Sequence, residues 1–226
     1  MRTPPDTLPD SPPDHRTRVA MERRRKMRQR LIESAFAVLA RKGAHAAVIE
    51  DVIVEAGVSR GTFYNYFQNN EELLDAVTAK LGDYLMQLVD PVVRTQEDPA
   101  ARVASGIRLC LRAALAFPQM AQLVSRMDWQ QAAPGGQPHG YLARDVEAGL
   151  REGRFKVANA RLATDLVVGP VISAFHALLH EPLPPGYPED LAQGILLGLG
   201  LSRTEARQLS QRPLPDLSLV PVPRPA

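Results

Sequence analysis

The segment "GVSRGTFYNYF" (residues 57–67) places Phe63, Tyr64, Tyr66 and Phe67 within five positions, four of the twelve Phe, Tyr and Trp residues in the chain. On a helix Phe63 and Phe67 stand four apart and share one face. Tyr64 turns about 100° from Phe63, and Tyr66 lies on a third bearing. Four bulky rings on one short helix cannot all point inward. Two of them therefore anchor the helix, and two turn hydroxyls outward, where a phenol can donate to a phosphate oxygen.

Charge points the same way. The net charge is only +2, but between Arg16 and Lys42 ten Lys or Arg stand against two Glu. A basic segment on a near-neutral chain suits a local anionic partner, with nucleic acid favoured and a membrane surface second. Other chemistries lack their residues. There is no nucleophile elbow, no phosphate-cradling glycine loop and no cysteine–histidine pairing, so an enzyme is not expected. The acid pairs Glu71/Glu72 and Asp145/Glu147 read as a helix cap and surface charge. His176 and His180 share a helix face, with Glu181 adjacent, a spacing that could bind a metal, but the glutamate of H-E-x-x-H is lacking and no third ligand is assured. Neither a metal nor a cofactor is expected.

The elements that must position these groups are helical. Met27, Leu31, Ala35 and Leu39 recur at helical spacing, and Arg41, Lys42 and Gly43 close that helix. A second helix spans about 48–56 and ends at Gly57. Ser59 caps a third, expected to reach Phe67. Asn69 and Glu72 form a capping box for a fourth, which should stop before Pro91. Further helices are predicted over 99–116, 119–130, 139–153, 159–180 and 188–201, and no period-two alternation is long enough for a sheet. Helix, glycine turn and short helix make a helix-turn-helix, whose second member enters a DNA major groove.

The ends differ in composition. Residues 1–18 and 213–226 each hold five of the twenty prolines and read as disordered tails. The first shows no apolar leader, and the longest apolar run (166–179) is too short to span a bilayer. The single Cys110 cannot form an intrachain disulfide. A cytoplasmic, nucleoid-associated protein without membrane contact is the expectation.

The stretch "VIEDVIVEAGVSRGTFYNYFQNNEELL" (48–74) resembles the DNA-binding domain of the TetR family of bacterial transcriptional regulators, most specifically over 56–67. The resemblance implies an all-α fold, with a three-helix helix-turn-helix domain (19–68) followed by a larger helical bundle (69–212) for dimerisation and ligand sensing. It implies a homodimer bound to a palindromic double-stranded DNA operator and released by a small-molecule effector of unknown identity. A helical interaction module, or an activator that senses no small molecule, is the alternative.

By the same resemblance Ser59 caps the reading helix and touches phosphate. Arg60, Thr62 and Asn65 face the groove floor, Gly61 lets the backbone approach, and Tyr64 and Tyr66 meet phosphates. Three positions depart from the family pattern: Val48 for a capping Thr, Ile53 for a small Ala, and Asn70 for a phosphate-binding Lys. Arg23, Arg24 and Arg28, within the cluster Arg16, Arg18, Arg23, Arg24, Arg25, Lys26, Arg28 and Arg30, are the candidates to compensate. Phe117, Met120, Met127, Trp129, Tyr141, Phe175 and His176 are the candidate lining of an effector pocket. Wide apolar faces on 162–179 and the glycines of 191–202 suit pairing with a second copy. Pro170 is expected to kink the first of these helices.

Overall fold

A computed structural model of the chain describes residues 15–42, 49–116 and 137–215. Nine α-helices, and no strand, lie among the described residues: α1 (His15–Lys42), α2 (Ile49–Ala56), α3 (Arg60–Tyr64), α4 (Asn70–Val93), α5 (Pro99–Ala116), α6 (Gln137–Arg151), α7 (Ala160–Ala177), α8 (Tyr187–Gly198) and α9 (Arg203–Ser210). The all-α expectation is met.

Two cores hold these helices. The first takes Leu31, Ala35 and Val38 from α1 and Val52 and Ala56 from α2. Phe63 and Phe67 join it, and so does the apolar stripe of α4 from Leu73 to Val93. It continues into Leu109 and Ala113 of α5 and Phe175 of α7. One apolar body thus runs from the helix-turn-helix into the bundle, with α4 as its axis. The second core joins α5, α6 and α7 to α8 and α9 through residues such as Ile107, Val146, Val167, Leu196 and Leu209.

The structure differs from the sequence reading at several boundaries. Residues 15–18 are not tail but the first turn of α1. The last proline before them is Pro13, and Arg16 and Arg18 are good helix formers. At the other end Leu214 packs on the first core, so 213–215 are held by an apolar contact. Helix α4 does not stop at Pro91 but passes through it to Val93. The proline removes one donor, yet the Arg94 N–H still reaches the Asp90 carbonyl at 2.8 Å and closes the turn. Helix α3 ends at Tyr64 rather than Phe67, but the Phe67 N–H bonds the Phe63 carbonyl at 3.1 Å, so the helical sense carries on to that ring.

Helix α9 went unpredicted. Its signal is "SRTE" (202–205), a capping box in which the Ser202 Oγ accepts from the Glu205 N–H and Glu205 reaches back to the Ser202 N–H. The box expected at Asn69 forms in part. Asn69 accepts from the Glu72 N–H at 2.8 Å, while Glu72 takes the N–H of Gln68 instead of that of Asn69. Pro170 lies inside α7, which continues to Ala177. The predicted helix at 119–130, the closing Gly43 and Val48 lie outside the described residues, as do 1–14 and 216–226.

Candidate nucleic-acid interface and interior cavity

The turn that aims α3 rests on Gly57, whose φ of +61° is a left-handed conformation that glycine adopts without strain. Ser59 then caps the helix, its Oγ accepting from the Thr62 N–H at 3.1 Å. The rings divide as their spacing predicts. Phe63 and Phe67 are 0% and 1% exposed, whereas Tyr64 is 45% exposed, its ring edge-on to Phe63 at 5.4 Å. Tyr66 is half-buried beneath the Arg24 guanidinium, 5.9 Å from the ring centroid. Arg28 covers the ring of Phe67 at 5.0 Å.

The polar side chains expected to face a groove are distributed unevenly. Arg60, Gly61 and Asn65 are exposed. Thr62 is half-buried and its hydroxyl is 2.9 Å from the Ser59 Oγ, so it completes the cap. The Arg60 Nη2 lies 3.0 Å from Glu50 Oε1 of α2, both side chains largely exposed. Sequence reasoning missed Glu50, because ten residues of chain separate it from Arg60 and only the helix-turn-helix geometry brings them together.

Electrostatics sort the cations of α1. Near its C-terminus Arg41 pairs with Glu55 at 2.6 Å and Lys42 with Asp51 at 2.7 Å, which ties α1 to α2. The hydrogen bond from Arg41 holds the Glu55 carboxyl below its usual range. Arg25 and Lys26 share Glu22. Arg16, Arg23 and Arg24 have no acid partner among the described residues and line an open groove of about 600 Å³ with His15, Asn65 and Tyr66. The groove runs from the first turns of α1 to the end of the reading helix. Its described lining holds three guanidiniums and no carboxylate. Such a channel suits a chain of phosphates.

A second space lies inside the bundle. It measures about 140 Å³ and is walled by α4 through Leu85, Met86 and Val89, by α5 through Ile107, and by α7 through Val171 and Phe175, with Leu142 of α6 at one side. Of the sequence candidates, Phe175 lines it. Tyr141 lies outside the wall, under the Arg144 guanidinium at 5.9 Å, and His176 is exposed, pointing away from the cavity. Phe117, Met120, Met127 and Trp129 lie outside the described residues. Sequence reading missed the wall residues of α4 and α5 because an apolar stripe looks the same whether it packs on a neighbour or faces a void.

Charged groups fasten the bundle around this space. Arg144 of α6 binds Asp90 of α4 at 2.8 Å and Asp145 at 2.9 Å, and Arg102 of α5 reaches Asp145 at 3.5 Å. Asp145 is therefore not surface charge, being 4% exposed. Buried Arg108 binds Glu189 of α8 at 3.1 Å and donates to the Arg212 carbonyl. Arg154 joins Asp98 at 2.8 Å to Glu205 at 3.1 Å. Among the described residues no group of three or more metal-ligating side chains gathers, and no helix is long and apolar enough to cross a membrane.

Residues 98–212 match the family described as tetracyclin repressor-like, C-terminal domain, and residues 31–77 match bacterial regulatory proteins, tetR family. The fold is similar to that of RolR solved without ligand (TM-score 0.73, 30% identity, 84% of this chain and 98% of that one) and in complex with resorcinol (TM-score 0.71, 28% identity, 87% and 98%). The HTH-type transcriptional repressor KstR2 of Mycobacterium tuberculosis is 29% identical over 76 residues, 34% of this chain and 38% of its own length. The dhaKLM operon transcriptional activator DhaS of Lactococcus lactis is 47% identical over 47 residues, 20% of this chain and 25% of its own. The chain matches 36–38% of the length of the first curated relatives.

Proposed function

The chain belongs to the TetR family of DNA-binding transcriptional regulators, and from that premise we propose that it is a homodimeric repressor, released from a palindromic operator when a small molecule fills the interior cavity. One observation carries this reading. Helix α4 serves both ends: Leu73, Leu74 and Val77 share the core that seats Phe63 and Phe67, and Gly82, Leu85, Met86 and Val89 wall the cavity. A molecule in the cavity presses on the helix that seats the reading helix. RolR, with a closely similar fold, is known with and without resorcinol.

In the DNA complex Arg60 leaves Glu50 for the edge of a guanine, the pairing its fork geometry favours. Asn65 reads beside it, Tyr64 meets a phosphate, and the Ser59–Thr62 pair holds the helix start. The two reading helices of the dimer lie about 34 Å apart, one turn of duplex.

The second copy docks on α7 and α8. Leu162 and Leu197 are 42% and 38% exposed, large apolar side chains left uncovered within the subunit. A Cβ added at Gly169, Gly194 or Gly198 would meet nothing within 4 Å. These glycines are thus not required by packing inside one subunit, and each lowers helix stability by about 1 kcal/mol relative to Ala. Close approach of a partner helix supplies the reason to keep them.

DhaS is an activator, and its likeness to this chain falls within a 47-residue stretch. Activation through the same DNA-binding helices is therefore the second reading. Fluorescence anisotropy of the full chain on the duplex upstream of its own reading frame tests the proposal. Tight, salt-sensitive binding of one dimer per site is expected. Equal binding to that duplex and to a scrambled one would overturn it. A reporter driven by that promoter separates repression from activation.

A further inference from the structure

This inference rests on the reading of the cavity as the effector site and concerns the chemistry of its occupant. Fourteen residues from α4, α5, α6 and α7 form the described wall. None carries a charge, hydroxyl, amide, imidazole or indole. The only side-chain heteroatoms are the sulfurs of Met86 and Cys110. Burial pushes the Cys110 thiol up to about 12, so it stays neutral and behaves as a small apolar group. Of the polar candidates, Tyr141 and His176 stand outside the wall, and Trp129 lies outside the described residues.

The walls belong to helices, whose backbone donors and acceptors are largely bonded to each other; in α7 the Leu166 carbonyl is an exception, because Pro170 supplies no N–H. A hydroxyl brought against these walls gives up water partners and finds no side-chain partner among the described residues. Each unpaired hydroxyl weakens binding roughly 5- to 150-fold. A dry apolar void of about 150 Å³ accepts benzene, and this partly open pocket offers a comparable space of about 140 Å³. Sulfur–ring contacts at Met86 and Cys110 favour an aromatic guest over an alicyclic one of equal size.

We propose that the effector is a neutral single-ring arene of the size of benzene or toluene, bearing no hydroxyl, and that this cavity discriminates against phenols and benzenediols. The similarity to RolR, whose complex holds a benzenediol, then conceals a difference in specificity. The fold is similar, and polar handles are absent from the described walls of this pocket.

The test uses the full-length dimer with toluene, phenol and resorcinol at matched free concentrations. Thermal shift and isothermal titration are expected to rank toluene first, with at least a fivefold loss of affinity for each hydroxyl. Toluene should release the operator duplex, and Val171→Phe, which fills the space, should abolish the toluene response while duplex binding persists. A readout on the unaltered chain guards against misfolding of that variant. Cys110 is the sole cysteine, and its buried neutral thiol reacts only when the pocket opens, so its slow alkylation by N-ethylmaleimide reports that opening. Bound toluene should slow it. Tighter binding of resorcinol than of toluene, with Cys110 protected, overturns the arene assignment and leaves the cavity as the effector site. No thermal shift and no protection by any of the three overturns both.

Discussion

The basic groove beside the reading helix gives a prediction whose size can be worked out. Arg16, Arg23 and Arg24 line it, and none has an acid partner among the described residues. If each neutralises one phosphate, each contributes about 0.9 to the slope of log affinity against log salt, about 2.7 for three. Substituting all three by Gln keeps helix propensity nearly level, because Gln and Arg lie close on that scale. A fourfold rise in salt, from about 50 to about 200 mM, raised to the power 2.7 is ~40-fold. The deficit of the triple variant relative to the parent should therefore shrink ~40-fold across that range, and its salt plot should be flatter by that slope. Arg151→Gln on α6, with a side chain 72% exposed, removes the same charge at a distance and should leave the slope unchanged. Anisotropy titrations at four salt concentrations suffice, with circular dichroism to confirm equal helicity. Parallel plots for parent and triple variant would refute the assignment of the groove to phosphates, whatever the fall in affinity at one salt concentration.

The remaining predictions concern the reading helix, the subunit contact and the bundle. Tyr64→Phe should weaken binding to operator and random duplex alike, whereas Arg60→Ala should weaken operator binding most; competition anisotropy with both duplexes distinguishes them. Phe63→Ala removes a ring with no exposure and should cost about 3–5 kcal/mol in urea unfolding, with duplex binding lost as the reading helix comes adrift. Gly194→Leu alters an exposed position where an added Cβ meets nothing within 4 Å, and it should shift the sedimentation profile toward monomer. In Asp98, burial raises the carboxyl, but hydrogen bonds from Arg154 and the Ala100 N–H outweigh it and hold the group below its ordinary range. The unfolded chain then takes up the proton first, so this stabilisation is complete above about pH 4 and declines as pH falls further. Arg154→Gln should lower the neutral-pH melting temperature and flatten its fall on the acid side.

How far the sequence could be read follows from how local each feature is. The reading helix was legible because its determinants lie within eleven residues: a glycine turn, a serine cap, and rings spaced to divide between core and surface. Most helix starts were legible for the same reason, and the missed α9 carried its cap in plain view. What was hidden depends on distance in the chain. Nothing in "IED" shows that Glu50 will meet Arg60, and nothing at Asp145 shows that Arg144 and Arg102 will bury it. The cavity was hidden for a different reason. His176 sits beside Phe175 in sequence, yet one residue along a helix is a 100° turn, enough to send the imidazole to solvent while the ring lines the void.

The mechanical consequence concerns α4. Val77, seated against the helix-turn-helix core, and Leu85, on the cavity wall, are eight residues apart, about 12 Å along the helix. Helix α4 is continuous over that span, so a tilt at one point is carried along its axis. Two fastenings decide what the tilt does. At the far end Asp90 is held by Arg144, so that end is fixed to the bundle. At the near end the contacts are apolar and non-directional, through Leu73, Leu74 and Val77. On the proposed mechanism, a guest that pushes on Leu85, Met86 and Val89 would swing the near end about the far one. The reading helix moves with the near end because its two phenylalanines share that core. In a dimer joined through α7 and α8 the two swings add or subtract with the sign of the symmetry axis, and the spacing of the reading helices departs from one turn of duplex. The effector then needs no contact with the DNA-binding residues; it needs only to bind the swung arrangement more tightly than the one that fits the operator.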